Sequence, residues 1–245
     1  MNLLAIETST ECCSVALLHG GALIERSELA PRRHAELVLP MAESLLAEAG
    51  LKRAQLDGIA VGRGPGAFTG VRLAISVAQG LAFALDLPVV TVSSLAALAM
   101  QAPRDAQATL AVMDARMGEV YACAFRFDAD GVARALDEER VARAEDLALP
   151  GTKSWNVIGS GWDAYRDALR TRLPGEPVSA KGDAFPQARD VARLALPLFE
   201  AGEALPPEQA LPVYLRDKVA LTVAEREAKS QAGLDPPSSN PEAAG

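Results

Sequence analysis

The chain has 245 residues, of which 49% are hydrophobic and 23% carry a charge. A chain of this length and apolar content can bury one large core or two small ones, which excludes wholesale disorder. The formal net charge of −8 disfavours direct binding to a nucleic-acid backbone, and three cysteines without a Cys-x-x-Cys pair disfavour a structural zinc site.

The first residues are typical of a buried strand and not of a signal peptide. Residues 3–6 are apolar, no basic segment precedes them, and the carboxylate of Glu7 follows at once. No apolar run reaches the roughly 18 residues that a membrane span needs. The odd cysteine count, with Cys12 and Cys13 adjacent, suits a reducing compartment. We therefore expect a cytoplasmic protein without a membrane segment.

The first half of the chain alternates strand and helix patterns. Strands are predicted at residues 3–6, 14–18, 22–28, 56–61 and 88–92, and helices at residues 33–49, 71–85 and 94–101, the last with Ser93 as its N-cap. Residues 62–70 are too rich in glycine for regular structure. The strand–helix–strand–helix order favours parallel pairing and an α/β fold.

The second half continues the mixed pattern. Strands are predicted at residues 109–114, 119–127 and 155–158, and helices at residues 162–173 and 188–201. From about residue 222 the composition becomes small, polar and Pro-rich, which predicts a disordered tail over residues 222–245.

The polar residues Glu7, Thr8 and Ser9 follow the first strand and allow two interpretations. An acid with hydroxyls at a strand end could hold a metal-bound phosphate, whereas the alternative is an ordinary polar turn. Three residues alone favour the turn.

The glycine-rich run that contains Gly64 and Gly66 also allows two interpretations. Glycines before a helix can present backbone N–H groups to an anion. The run has no lysine for a Walker A loop and does not follow the first strand as a dinucleotide fingerprint must. By itself it favours a tight loop that lets a strand and a helix pack closely.

The helix predicted at residues 71–85 has almost no polar face. Such a helix is buried on all sides, either inside its own domain or partly by a partner. A partner contact would involve this helix, the end of the glycine-rich loop that precedes it, and the helix predicted at residues 33–49. The predicted contact residues are Leu37, Val38, Met41, Leu45, Phe68, Val71, Arg72, Ile75 and Gln79. A charged residue at Met41 or Ile75 is then expected to weaken pairing.

Two acids, Asp114 and Glu119, and one arginine, Arg116, lie around a turn between two predicted strands. An arginine–carboxylate pair that fixes the turn is favoured over a catalytic role. No Ser/His/Asp set is visible, because His19 and His34 both precede residue 35 and neither flanks a nucleophile motif.

Several of these segments occur together in one protein family. They are Leu-Ala-Ile-Glu-Thr-Ser at 4–9, Gly-Pro-Gly-Ala-Phe-Thr-Gly-Val-Arg-Leu at 64–73, Gly-Leu-Ala at 80–82, Asp-Ala-Arg at 114–116, Glu-Val-Tyr at 119–121 and Pro-Val-Tyr-Leu-Arg at 212–216. With them the chain resembles the TsaB family, also called YeaZ, over roughly residues 1–217.

The resemblance implies an α/β fold of the actin, sugar-kinase and Hsp70 (ASKHA) type, with two lobes of mixed sheets flanked by helices. The first lobe is expected at residues 1–102, with a helix at about 188–202 returning to it. The smaller second lobe is expected at residues 103–221.

The resemblance also implies that no metal or other cofactor is bound. The catalytic paralogue TsaD carries a His-x-x-x-His pair on the helix whose counterpart here begins at Ser94. Ser94 and Leu98 stand at those two positions, and neither can replace an imidazole as a metal ligand. No catalytic residue is therefore expected.

The implied function is that of a non-catalytic scaffold. The chain would pair with TsaD and act with TsaE in the transfer of a threonylcarbamoyl group to adenosine 37 of tRNA, and form a homodimer without TsaD. It would meet tRNA only through the complex. The alternative is an active ASKHA-type ATPase or a glycoprotease-like hydrolase, for which Glu7, Thr8, Ser9, Gly64 and Gly66 would form the nucleotide site; in a scaffold this site would be vestigial.

Overall fold

Two mixed β-sheets with helices against their faces make up the described part of the chain, which is residues 1–216 of a computed structural model. Residues 1–215 belong to one compact unit. The tail predicted to be disordered, residues 222–245, lies outside the described residues. The proposed boundary between lobes at residues 102 and 103 stays a prediction.

The first sheet contains five strands. They are β1 (Leu3–Glu7), β2 (Cys12–His19), β3 (Ala22–Leu29), β4 (Gly58–Gly62) and β5 (Val89–Val92). Their spatial order is β3-β2-β1-β4-β5, in which β1 runs antiparallel to β2 and parallel to β4, and β4 runs parallel to β5. The predicted parallel pairing is thus confirmed for the strands that α-helical connections join.

The second sheet contains six strands, three of which were not predicted. The strands are β6 (Ala108–Arg116), β7 (Glu119–Phe127), β8 (Ala133–Ala135), β9 (Arg140–Arg143), β10 (Trp155–Ile158) and β11 (Ser179–Lys181). Their order is β11-β10-β6-β7-β8, and β9 also pairs with β7. The missed strands β8, β9 and β11 have three or four residues each, too few for an alternating pattern to be recognised.

Within residues 1–216, five α-helices cover the sheets. They are α1 (His34–Glu48), α2 (Phe68–Leu85), α3 (Ser94–Ala99), α4 (Ser160–Arg172) and α5 (Ala188–Glu200). Helices α1 and α2 pack on one face of the first sheet, and α5 packs on its other face. Helix α4 covers one face of the second sheet, and α3 packs on the other. As predicted, the side chain of Ser93 caps α3 by accepting a hydrogen bond from the Ala96 N–H (3.0 Å).

Helix α2 begins at Phe68, three residues earlier than predicted, and is long and apolar enough to cross a membrane by length and composition alone. The expectation that no run reaches that length is therefore wrong. One face of α2 packs into the core beside the first sheet through six residues, Gly70, Val71, Ala74, Ile75, Ala78 and Ala82. This packing accounts for much of the apolar composition of the helix.

Two leucines of helix α1 differ in their exposure to solvent. Leu45 is 0% exposed within the first-sheet core, whereas Leu39 on the same helix is 45% exposed. We predict that Leu45→Ala lowers the free energy of unfolding by about 2–5 kcal/mol, because it leaves a cavity in a packed core. The matched variant Leu39→Ala should change it by less than about 0.5 kcal/mol. Urea denaturation followed by circular dichroism measures both, and similar losses in the two variants would contradict this core.

Candidate functional site

A fully buried carboxyl group, that of Glu7, lies where β1, β4 and α3 meet. The backbone N–H of Ser9 donates to Glu7 Oε1 (2.6 Å), and the Ser94 hydroxyl donates to Glu7 Oε2 (2.7 Å). Gly62 ends β4 beside this carboxyl, and a Cβ there would lie 2.0 Å from Glu7 Oε2. Only a glycine at this position leaves room for the acid. The carboxyl group is enclosed by the chain itself.

Burial sets the acid–base behaviour of Glu7. Removal from water raises the pKa of its carboxyl group above the ordinary value, while hydrogen bonds from Ser9 and Ser94 partly oppose that rise. A raised pKa in an accessible cleft would suit a general acid. Here the side chain has no exposed surface, so the shift reflects enclosure.

The glycine-rich loop packs against the turn after β1. A Cβ at Gly66 would lie 2.4 Å from the carbonyl oxygen of Ser9, and one at Gly70 would lie 2.1 Å from that of Thr8. The Thr8 hydroxyl donates to the Gly70 carbonyl (2.8 Å), and the Ala67 N–H donates to the Ser9 carbonyl (2.7 Å). These contacts support the close-packing interpretation, because chain atoms occupy the sides of the loop next to Thr8 and Ser9.

Ser94 and Leu98, the residues expected at the paralogue's histidine positions, are both fully buried. The Ser94 hydroxyl is engaged by Glu7, and the Leu98 side chain is packed so closely that a Cβ on Gly159 would lie 2.6 Å from its Cδ2 atom. Among residues 1–216, no three His, Cys, Asp or Glu side chains are placed to share a metal ion. The expectation of a protein without a metal centre stays a prediction.

Two ionic contacts join the sheets near this region. The predicted turn pair is confirmed, because Arg116 Nη1 lies 2.9 Å from Asp114 Oδ2, and its Nη2 atom also reaches Glu11 after β1 (2.9 Å). The second contact was not predicted: Glu139 accepts from the Ser93 hydroxyl and lies 3.1 Å from Arg63 Nη1. Its partners are 46 and 76 positions away in sequence, and no local pattern marks such a pair.

The predicted partner surface needs a correction. Val38, Leu45, Val71 and Ile75 lie in the chain's own core, since their spacing places them on the helix faces turned to the first sheet. A charge at Ile75 would therefore disrupt the fold before it tested any contact. The Gln79 amide is also engaged, because it donates to the carbonyls of Pro207 and Ala210 (both 3.1 Å). Accessible surface remains at Leu37, Met41, Phe68 and Arg72.

The opposite side of α2 forms an exposed stripe that the sequence did not separate from the core side. We call Arg72, Ser76, Gly80 and Phe83 the outer stripe of α2; they recur at helical spacing and are all exposed. Phe83 is 60% exposed, and a Cβ at Gly80 would meet no atom within 4 Å. A stripe with a glycine and a small serine in its centre allows another helix to approach closely.

A cavity of about 380 Å³ lies between the first turns of α1 and α2, beside this surface. Its lining residues are Thr10, Glu11, Pro31, Arg32, His34, Ala35, Ala67, Thr69, Gly70 and Leu73. His34 starts α1 at the cavity wall. The cavity adds a concave, partly polar region to the exposed side of the two helices.

Comparisons with known proteins find relatives of this chain both by sequence and by structure. Residues 26–224 match a family model described as TsaD, tRNA N6-adenosine threonylcarbamoyltransferase. The tRNA threonylcarbamoyladenosine biosynthesis protein TsaB of Escherichia coli (strain K12) is 40% identical over 228 residues, which cover 90% of this chain and 96% of that protein. The protein of the same name from Haemophilus influenzae is 38% identical over 230 residues, covering 89% and 95%. The solved structure of YeaZ from Pseudomonas aeruginosa has a TM-score of 0.81 at 47% identity, covering 87% of this chain and 99% of that one.

Two glycines differ in the space around them, and alanine substitutions at these positions should therefore change stability in opposite directions. Gly62→Ala should lower the free energy of unfolding by about 1–3 kcal/mol, because its methyl group would collide with the enclosed carboxyl. Gly80→Ala should raise it by about 0.5–1 kcal/mol, because the added methyl group meets nothing and alanine favours the helix. Thermal unfolding of both variants checks this, and equal effects of the same sign would contradict the geometry.

The buried acid also predicts a pH dependence of stability. Since burial raises the pKa of Glu7, the folded state holds its proton to higher pH than the unfolded state does. The free energy of unfolding therefore falls as the pH rises above the ordinary carboxyl value. Glu7→Gln keeps both hydrogen bonds, because a serine hydroxyl can also accept, and removes the titration. Urea denaturation between about pH 5 and pH 8 should show a smaller decline in this variant than in the wild type; parallel profiles would exclude Glu7 as the cause.

Proposed function

The chain belongs to the TsaB (YeaZ) family, and we propose on this basis that it is a non-catalytic partner subunit in the biosynthesis of threonylcarbamoyladenosine in tRNA. The observation that carries the proposal is 40% identity to a TsaB protein across 96% of that protein's length. The predicted actin-like α/β fold, with two mixed sheets flanked by helices, is confirmed. A relationship this extensive supports a shared role.

The geometry around Glu7 supports a role without catalysis. Glu7, the acid that ends β1, has no exposed surface, and both of its oxygens accept hydrogen bonds within the chain. Ser94 and Leu98 offer neither an imidazole nor a carboxylate to a metal ion. A site that supplies no accessible acid, base or metal ligand at these positions is better suited to support a neighbouring subunit than to react.

The partner in this proposal is a TsaD-type subunit, with TsaE as a further member of the assembly. The exposed side of α1 and the outer stripe of α2 would form the contact, and the same surface would pair two copies of this chain when the partner is absent. A net charge of −8 supports contact with tRNA through the complex. Three buried, free cysteines fit a reducing cytoplasm.

The rival function is an enzyme acting alone, either an ATPase, a hydrolase or a transferase of the kind that the matched family model describes. Reconstitution separates the possibilities: tRNA modification is measured with TsaD and TsaE, with and without this chain, beside ATP turnover by this chain alone. We expect modification to require the chain and the chain alone to turn over no ATP. Glu7→Gln should support modification at the wild-type rate. Saturable ATP turnover abolished by Glu7→Gln would refute the proposal.

Gly80 provides a direct test of the contact surface. Gly80→Leu places a bulky side chain in open space on α2, so the fold should be retained while close approach of a partner helix is blocked. We predict a loss of affinity for the TsaD-type partner of about tenfold or more, measured by isothermal titration calorimetry. Gly175→Leu is the control, because Gly175 also has no neighbour within 4 Å of a Cβ and lies after α4. Unchanged affinity in Gly80→Leu would remove this stripe from the contact.

A further inference from the structure

Three exposed side chains form a stacked cluster at the start of α2. The Arg72 guanidinium lies 3.5 Å from the centre of the Phe68 ring and 5.3 Å from that of the Tyr214 ring. Arg72 Nε donates a hydrogen bond to the Tyr214 hydroxyl (2.6 Å), and the two rings lie 5.6 Å apart. Phe68 is 42% exposed and Tyr214 is 45% exposed. We call Phe68, Arg72 and Tyr214 the Arg72 platform.

The segment that supplies Tyr214 is held firmly against α2 and the first sheet. The N–H and the carbonyl of Leu205 both form hydrogen bonds with the backbone of Val89 on β5, the edge strand of the first sheet. The Val213 N–H donates to the Arg63 carbonyl (2.9 Å). Between these points the Gln79 amide binds two carbonyls of the segment, and Ala210 is fully buried. Tyr214 is therefore a fixed part of the surface and holds Arg72 by its hydroxyl group.

Among residues 1–216, no carboxylate pairs with the charge of Arg72. It is the only charged residue in the 18 residues of α2, and within the described part of the chain no carboxylate lies within 4.0 Å of its guanidinium. The hydrogen bond to Tyr214 uses Nε, so the two terminal amino groups keep their donors. A stacked guanidinium with this edge available matches the two oxygens of a carboxylate.

Helix α1 of a second copy of this chain is a poor source of that carboxylate. The three acids of α1 are Glu36, Glu43 and Glu48, and each already pairs with an arginine of its own chain. A phosphate of tRNA has matching oxygens, but a chain with 32 acidic and 24 basic residues repels a polyanion. A protein partner with an unpaired acid among apolar residues fits the platform best, because the exposed rings of Phe68 and Tyr214 supply apolar surface beside the charge.

We propose that the Arg72 platform receives a carboxylate of the TsaD-type partner, and that Tyr214 is the positioning residue that holds the guanidinium for it. This inference rests on the proposed function and extends it, because it brings the segment after α5 into the contact. It also assigns the platform a part in partner choice: the acid distinguishes the TsaD-type subunit from a second copy of this chain.

The test compares four variants by calorimetry against the TsaD-type partner. Arg72→Met should weaken binding by about tenfold or more, and Arg72→Lys should fall short of wild type, because lysine keeps the charge but loses the planar fork. Tyr214→Phe should weaken binding less than Arg72→Met, since it keeps the ring and loses only the hydroxyl. Arg134→Met, an exposed arginine on β8, is the control and should bind as wild type does.

The salt dependence of affinity and a charge swap test whether Arg72 binds a carboxylate or only packs against the partner. The affinity of the wild type should fall with salt more steeply than that of Arg72→Met. Arg72→Glu should be rescued by an acid-to-arginine change at one position of the partner. Thermal unfolding confirms that each variant is folded, and Arg72→Lys replaces Arg72→Met if the latter is not.

The outcomes distinguish this inference from the proposed function. If Gly80→Leu loses affinity and Arg72→Met does not, the platform is overturned and the pairing stands. If wild-type chain does not bind the TsaD-type partner at all, the proposed function fails and this inference with it. If Arg72→Met changes only self-association, or only the binding of labelled tRNA, the platform belongs to a second copy or to RNA and the inference is overturned.

Discussion

The enclosure of the Glu7 carboxyl group is the constraint on which the arrangement of the first sheet depends. A buried acid is tolerable only when its oxygens are hydrogen-bonded, because an unsatisfied polar group costs about 1–3 kcal/mol. The Ser9 N–H and the Ser94 hydroxyl meet that need, and a glycine at position 62 gives the space. One side chain thereby fixes the ends of β1 and β4 and the start of α3 relative to one another.

The two residues that follow Glu7 determine where α2 begins. The loop after β4 is drawn against Thr8 and Ser9 by backbone hydrogen bonds and by glycines that leave no room for a Cβ. Helix α2 therefore begins next to the first sheet and buries one face against it. Its other face is left with an arginine, a serine, a glycine and a phenylalanine pointing away from the core. Thr8 and Ser9, which could have contributed to a reaction site, instead anchor α2. In the described part of the chain the outer side of this helix is exposed and can contact another molecule.

Several long-range contacts complete this surface. Arg63, directly after β4, pairs with Glu139, directly before β9, and its carbonyl accepts a hydrogen bond from the segment that carries Tyr214. Gln79 attaches that segment along α2. A side chain predicted to contact a partner thus contributes indirectly, by holding the element that positions Arg72.

The sequence by itself determined most element types, the Ser93 cap and the Asp114–Arg116 turn, because each depends on residues close together in the chain. The strand–helix–strand order also indicated the parallel pairing of β4, although the residues that pair are not neighbours in sequence. It also identified the family, because the glycine-rich run and the motifs at both ends are specific. The three short strands of the second sheet were missed, since three or four residues carry no clear period. Only the tertiary structure decided which side of α2 is core and which is surface: a helix apolar on all sides has no polar face to mark its outside. It alone also placed Tyr214 on Arg72, because contacts between residues 142 positions apart follow from the folded path of the chain and leave no local pattern.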